Sequence, residues 1–319
     1  MSLPKTYSKK EQRKIIYLLM LVQFVNIFEF MLLVPVSPDF IVELDIISSN
    51  VGMISGTYSL TAAITGLLIA SFIDRIEPRR VLIFCMSLMT LGTALTMFAQ
   101  NELMLIISKI ITGMCGGPAT ALTLTIVADV IPEERRGRAM GKVLSGFIFS
   151  AVLAVPLGLE VSRLYGWRYA FLLLITFEIA LVILLIKFLP AISSSVETKG
   201  KVDFTKVLHV MANKPYLVAF TINFTALFSG YVLIPILPNY LIYNLDVSRD
   251  KLSMLYFIGG SCSFFAMRLA GKIFDYRSAL LLNTMISGCF ITTVFMLVVQ
   301  YVAVIPVLFY FSTFMICMT

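Results

Sequence analysis

Hydrophobic and polar positions alternate along this chain in blocks of about twenty residues, the length needed to cross a bilayer's hydrocarbon core. Apolar runs fall near 15–37, 51–73, 81–99, 103–128, 143–162, 169–189, 216–240, 252–274, 279–299 and 301–319, separated by short polar stretches. In lipid, a run of this kind must satisfy its own backbone N–H and C=O groups, so each is expected to be helical. The expected class is therefore all-α, a polytopic membrane protein of about ten spans.

Composition agrees with the pattern. Of 319 residues, 59% are hydrophobic and 13% charged, against about 25% charged in a soluble domain. The mean hydropathy is +0.94. The formal net charge of +7 would suit a nucleic-acid partner, but its placement argues otherwise. With the N-terminus in the cytoplasm, 20 Lys and Arg fall on the cytoplasmic side and 4 (Arg163, Arg168, Arg249, Lys251) outside, with Lys109 inside a span. That asymmetry follows the positive-inside rule. It predicts a cytoplasmic (inner) membrane protein with its N-terminus inside, whose basic residues face the membrane surface. The first apolar run is too long for a cleavable signal peptide and reads as a first span. Cys85, Cys115, Cys262, Cys289 and Cys317 each lie in an apolar run without metal-ligand spacing and read as small buried side chains. His209, in a loop, receives no role.

Residues 191–215, with Ser193, Ser194, Ser195, Lys199, Gly200 and Lys201, have linker composition. They separate a six-span bundle, 1–190, from four further spans, 216–319. Six before the linker suggests a six-plus-six design, so the second bundle is expected to be incomplete. The sequence stops within an apolar run, which adds the expectation of a truncated product or fragment.

The polar joints carry the motifs. Between spans two and three the chain reads Asp74-Arg75, then Arg79-Arg80. A loop with both signs can clasp helix ends through charge-assisted bonds. Ala70-x-x-x-Asp74 is echoed by Gly271-x-x-x-Asp275, as in transporters built from two related halves. After span four, Asp129 precedes Pro132, Glu134, Arg136, Gly137, Ala139 and Gly141. Asp129 is expected to meet Arg75 or Arg79. Span five holds Pro156-Leu157-Gly158, followed by Gly166-Trp167-Arg168 and Phe171.

These stretches resemble the major facilitator superfamily. The first loop is similar to the signature G-x-x-x-D-R-x-G-R-R, with Ala70 for the first glycine and Glu77-Pro78 in place of the second. The later stretches resemble P-x-E-x-R-G-x-A-x-G and G-x-P-L-G followed by G-W-R-x-x-F, the latter of the twelve-helix drug–proton antiporter branch. Asn26-Ile27-Phe28-Glu29-Phe30, up to Pro35, resembles the acidic-aromatic first span of sugar- and drug-efflux members. The resemblance implies two six-helix bundles about a cavity lined by helices one, four, seven and ten. It also implies alternating access and a clasp from Asp74 to helix eleven.

Ionisable residues inside spans are costly and usually functional, about 3 kcal/mol or more each on insertion scales. Glu29 lies about 21 Å past Ile15 in a core of about 30 Å. Gln23 and Asn26 share its neighbourhood. Glu29 is nominated as the proton-coupling or cation-recognition carboxylate, with a structural pair to Lys109 as the alternative. Lys109 begins a stripe of Thr112, Gly113, Gly116 or Gly117, and Thr120 expected on one helix face. It is read as a cavity cation, or as snorkelling to the outer surface. The superfamily usually has Arg where Lys109 stands and Gln where Thr112 stands, and lysine lacks the planar fork. Gly113-x-x-x-Gly117 should admit a close helix neighbour. Glu178 is nominated by its depth, although the resemblance places its helix on the periphery. Asn223, Ser229 and Arg268 are further cavity candidates. Glu160 and Arg163 suit a solvated outer pair. Phe24, Phe28, Phe30, Phe147 and Phe149 read as pocket lining or lipid contact, and Tyr165, Trp167 and Tyr169 as an interfacial belt.

No catalytic set, metal cluster or phosphate loop appears in the sequence, which argues against an enzyme, a cofactor or a nucleotide-powered pump. The function expected is proton-coupled export of drugs or small metabolites across the bilayer. Two alternatives stand beside it: an importer of a sugar or organic anion, and a truncated, non-transporting remnant.

Overall fold

In a computed structural model the chain divides into two compact units, Met1–Val202 and Asp203–Thr319. Residues 7–47, 50–72, 77–191, 237–243, 248–258 and 261 are described. Among them no strand occurs, and six helical segments are long and apolar enough to cross a membrane.

The first unit is a bundle of α1 (Lys9–Glu43), α2 (Asn50–Phe72), α3 (Pro78–Met97), α4 (Glu102–Val130), α5 (Glu133–Phe149), α6 (Val155–Tyr165) and α7 (Trp167–Phe188). The second unit contributes α8 (Leu237–Tyr243) and helical residues 249–258 to the description. In the first unit α4 packs on α2 and α3, α7 packs on α3 and α6, and α1 lies against α4, α5, α6 and α7. Outward residues such as Leu67, Phe84 and Leu91 remain exposed, as expected of surfaces that face acyl chains.

Local chemistry explains the ends. Ser8 and Glu11 form a reciprocal capping box at the start of α1, satisfying two otherwise orphaned donors. Asn101 caps α4 by accepting from the Met104 N–H at 2.9 Å. Pro78 stands in the first turn of α3 behind Glu77, where its missing N–H costs nothing. Glu77 then pairs with Arg80 at 2.5 Å. The Glu77-Pro78 departure from the signature is thus a helix start. Gly166 separates α6 from α7 with φ +99°, a conformation that favours glycine.

Several boundaries differ from the sequence reading. α1 continues past residue 37, through Pro35 and Pro38, to Glu43. Phe40 on that extension is buried against Trp167 and Phe171, so tertiary packing outweighs the lost backbone bonds. The stretch Glu133–Gly141, expected as a loop, is the opening of α5. Glu133 and Glu134 in its first turn complement the helix dipole. The fifth span is one rod: α5, a π-helical turn at Ser150–Ala154, then α6. In that turn Val155 N–H donates to Ser150 C=O, five residues back. Pro156, which has no N–H to donate, follows at once.

Glycines bring the rods into backbone contact. A Cβ at Gly117 would overlap the Ala62 carbonyl, and one at Gly113 would lie 2.5 Å from Tyr58 O. These two positions form the α2–α4 crossing expected of Gly113-x-x-x-Gly117. A Cβ at Gly146 would lie 2.9 Å from the Phe24 N, and one at Gly158 2.6 Å from Leu32 Cδ1. The fifth span therefore seats two glycines against α1.

Replacing Gly117 by Val should lower the stability of the purified protein by at least about 1–3 kcal/mol, because backbone stands in the way. Gly56→Ala, where a Cβ meets nothing within 4 Å, should be neutral or stabilising. Thermal unfolding in detergent checks both; equal melting temperatures for Gly117→Val and wild type would refute the crossing.

Candidate functional site

The α1 face carrying Gln23, Asn26 and Glu29 points into the bundle, and all three are buried. Lys109 reaches from α4 and places Nζ 2.6 Å from Glu29 Oε1, with both side chains no more than 1% exposed. The same ammonium sits 5.2 Å from the centroid of the Phe171 ring of α7, close enough for cation–π attraction. The structure therefore shows the pair given above as the alternative for Glu29, and it excludes snorkelling of Lys109 to the surface. Such a pair tolerates little change: removing one partner strands the other and costs about 3–5 kcal/mol.

One turn away Asn26 ties three helices. Its Nδ2 donates to Thr120 Oγ1 at 2.9 Å and Gly116 C=O at 3.2 Å of α4, while Oδ1 accepts from Tyr58 OH of α2 at 3.1 Å. Gln23 Nε2 and Ser150 Oγ are buried with no hydrogen-bond partner among the described residues. Both lie where α1 meets the fifth span, since a Cβ on Gly146 would lie 3.2 Å from Gln23 Cβ.

The α4 stripe does not stay on one face. At about 100° per residue, Gly116 and Thr120 fall within about 20° of Lys109, Thr112 about 60° to one side, and Gly117 about 80° to the other. Lys109, Gly116 and Thr120 accordingly meet α1. Thr112 is buried with its methyl against Gly92 of α3, and Gly113 and Gly117 meet α2. Thr112 donates a long 3.5 Å bond to the Lys109 carbonyl.

Glu178 is fully buried and faces the interior. Its Oε1 accepts from Thr93 Oγ1 of α3 at 2.9 Å. Phe177 beside it packs edge-on at 6.0 Å on Phe24 and 6.3 Å on Phe28, and Phe28 precedes Glu29 in α1. α7 itself keeps an exposed outward side, with Ile179, Ile183 and Ile186 exposed, so the helix is peripheral as the resemblance implies while Glu178 lies on its inward face. Sequence reasoning missed Thr93. Its signal was the ladder Ser87, Thr90, Thr93, Thr96 at every third position of an apolar helix. Thr96 joins Ser108 of α4 at 2.9 Å.

The family model of the Major Facilitator Superfamily matches residues 19–319. The chain belongs to that superfamily. It is 27% identical over 230 residues to a protein of Mannheimia succiniciproducens named "Probable sugar efflux transporter", covering 71% of this chain and 56% of that one. The MFS antiporter QDR3 of Candida albicans is 26% identical over 210 residues, 66% of this chain and 29% of that protein. The chain thus spans about half or less of the length of these curated relatives. Among solved structures, the xylose transporter XylE of E. coli, partially occluded and inward open, superposes with a TM-score of 0.75 at 17% identity. It covers 96% of this chain and 85% of that one. A bacterial homologue of the human lysosomal transporter Spinster gives 0.74 at 17% identity, with 97% and 73% covered. The fold is that of major facilitator transporters.

The superfamily motifs, where described, act as helix caps. Arg79 Nη2 donates to the Ile186 carbonyl at 2.8 Å, at the end of α7, and Arg136 Nη2 to the Ala128 carbonyl at 2.9 Å, near the end of α4. Cations at helix C-termini are favourable. Asp129 and Glu134 are exposed and Gly137 touches nothing within 4 Å through a notional Cβ. Tyr7 lies near Asp129; partial burial, then the charges of Glu11 and Asp129, push its phenol above the usual range. Asp74, Arg75, Asn223, Ser229, Arg268, Gly271 and Asp275 lie outside the described residues.

The G-W-R-x-x-F run builds the end of the bundle where α1 finishes. Trp167, read above as interfacial, is 2% exposed, whereas Tyr165 and Tyr169 are exposed. Trp167 packs edge-on to Phe40 at 4.9 Å and donates from Nε1 to Glu43, which also accepts from Arg168. Arg168 donates onward to Ala99 C=O at 3.1 Å. Asp39 accepts from Ser162 Oγ at 2.8 Å. Glu160 and Arg163 form the solvated pair expected, at 2.5 Å.

Tyr58→Phe should cost about 0.5–2 kcal/mol, because it leaves Asn26 Oδ1 without its donor. Asn26→Ala should cost more, and the double variant less than the sum of the two. Unfolding of purified protein measures the cycle; strictly additive losses would show that the two side chains do not interact.

Proposed function

We propose that this chain is part of a proton-coupled secondary transporter that exports small metabolites or drugs by alternating access. The observation that carries the reading is the Glu29–Lys109 pair, 2.6 Å apart and closed to solvent in the core of a superfamily bundle. A carboxylate held by one lysine can exchange that lysine for a proton, and the exchange changes the force joining α1 to α4. Coupling needs such a step: an ion must alter the balance between two arrangements of the helices. Transport by the superfamily and the names of a sugar efflux relative and an antiporter support export and antiport.

The substrate and the proton are the partners this reading requires, and the bilayer is the medium. The cytoplasmic membrane with the N-terminus inside is supported by the 20-to-4 distribution of Lys and Arg. Asp74, Arg75, Gly271 and Asp275 are proposed as gating residues beside Arg79, Arg80, Asp129, Glu134, Arg136 and Gly137. Pro156 and Gly158, beside the π-helical turn, are proposed as the flexible joint of the fifth span. Import of a sugar or organic anion is the second reading. The superposition on a xylose transporter supports the fold that import also uses, and fold does not set direction.

The test uses everted membrane vesicles carrying the protein and a panel of labelled sugars and cationic dyes. An inside-acid gradient should drive accumulation of at least one member. Glu29→Gln should lower that accumulation at least tenfold while leaving equilibrative exchange of the same compound. Undiminished gradient-driven accumulation by Glu29→Gln would remove Glu29 from coupling, and import driven by the opposite gradient would favour the second reading.

A further inference from the structure

Two carboxylates and one ammonium share the closed interior of the first unit. Glu29 and Glu178 are each fully buried, as is Lys109. Glu29 uses Oε1 on Lys109 and Glu178 uses Oε1 on Thr93. The second oxygen of each, Oε2, is buried with no hydrogen-bond partner among the described residues. Buried polar atoms without partners are rare in folded proteins and call for an explanation.

The two groups form one electrostatic unit. Phe177, next to Glu178 in α7, packs edge-on against Phe24 and Phe28 of α1, and Lys109 Nζ lies 5.2 Å from the ring of Phe171, seven residues before Glu178 and on the same face of α7. The charges of both Glu29 and Lys109 reach Glu178. Among the described residues, the other ionisable side chains turned inward from the helices around them include the Tyr58 phenol on α2 and the thiols of Cys85 on α3 and Cys115 on α4, and none of these supplies a cation. With both carboxylates ionised, the cluster would carry a net negative charge in an interior closed to bulk solvent. An uncompensated buried charge of this kind is strongly destabilising.

We propose that Glu29 and Glu178 share a single exchangeable proton about Lys109. In the arrangement seen, the ammonium stands on Glu29 and the proton resides on Glu178. When the proton passes to Glu29, by a bridging water or by way of the open phase of the cycle, the ammonium is released from Glu29 to Glu178. No bond other than O–H is made or broken, and the cluster's total charge stays fixed. The lysine's flexible stem permits the transfer, which a planar guanidinium would restrain. Glu178 is thus a second proton-carrying residue, on the sixth span. This inference rests on the proton-coupled reading, but its test does not require transport.

The test is infrared spectroscopy of the purified protein in lipid at neutral pH, reading the carbonyl stretch of protonated carboxyl groups. Wild-type-minus-variant spectra should show the loss of one protonated carboxyl in Glu178→Gln and also in Glu29→Gln. Either change leaves one carboxylate opposite one lysine and abolishes the need for the proton. Lys109→Met should add one, for two protonated carboxyls. The inference is overturned if Glu29→Gln retains the band, since Glu178 then holds its proton independently. It is also overturned if neither Gln variant loses a band, in particular if the wild type gains thermal stability from sodium chloride but not from choline chloride, which would make the balancing cation sodium. Glu29→Ala replaces Glu29→Gln should the latter misfold, because Glu178→Gln and Lys109→Met alone give the same bands for a shared and for an independent proton. Loss of the shared band alongside gradient-independent transport would retain the proton site and reject only its use in coupling.

Discussion

A lysine ammonium and a glutamate carboxylate, 2.6 Å apart with no exposure to solvent, set the terms for the rest of the first unit. Neither charge can be left alone there. The attraction between them must repay the removal of both from water. The bundle helps in two ways. Phe171 offers its ring face to the ammonium, and the apolar packing of Phe24, Phe28 and Phe177 keeps the surroundings closed. The position of α1 against α4 and α7 is therefore as much electrostatic as steric. Asn26 adds neutral hydrogen bonds to the same joint, one turn away.

The rods around that joint differ in how they resist movement. Where α2 crosses α4, glycines let backbone touch backbone, and any rotation would force atoms into one another. The fifth span is built otherwise. Its π-helical turn and Pro156 leave local backbone bonds longer in reach and fewer in number, and kinks in helices arise at such places. Ser150 and Gln23 meet α1 and the fifth span with polar atoms unpaired. A rigid pair of helices and a yielding one are packed on either side of a charged α1, the arrangement that the proposed proton coupling requires.

The six spans of the first unit were legible because lipid leaves the backbone one solution and length alone identifies it, while the linker and most of the four spans expected over 216–319 lie outside the described residues. The glycine crossing was legible too, as Gly113 and Gly117 stand four apart. What could not be read was direction around the helix axis. The α4 stripe spreads over about 140°, enough to meet three neighbours, and only the packing shows which residue meets which. Trp167 fails for a related reason: its place at a span end suits lipid headgroups, but the extension of α1 through two prolines brings Phe40 over it. Glu178 was found from depth alone, while its partner Thr93 was hidden among hydroxyls that also bond their own helix, as Thr93 does with Met89 C=O. Asp74 and Arg75, central to the sequence reading, fall outside the described residues.

The polar ties at the two ends explain why the bundle can respond as a body. At the end where α1 finishes, Glu43 gathers Trp167 and Arg168, Arg168 reaches the end of α3, and Asp39 holds Ser162. These contacts join α1, α3, α6 and α7. At the opposite end Arg79 joins α3 to α7, and Arg136 joins α5 to α4. Each tie lies within the first unit, and none depends on Glu29 or Lys109. A change of charge at the centre therefore acts on a frame already fixed at its rims. It can tilt or turn the frame, or bend the fifth span, at lower cost than it can pull one helix out. That division of labour is what the proposed alternating access asks of a bundle that moves largely intact about a buried site.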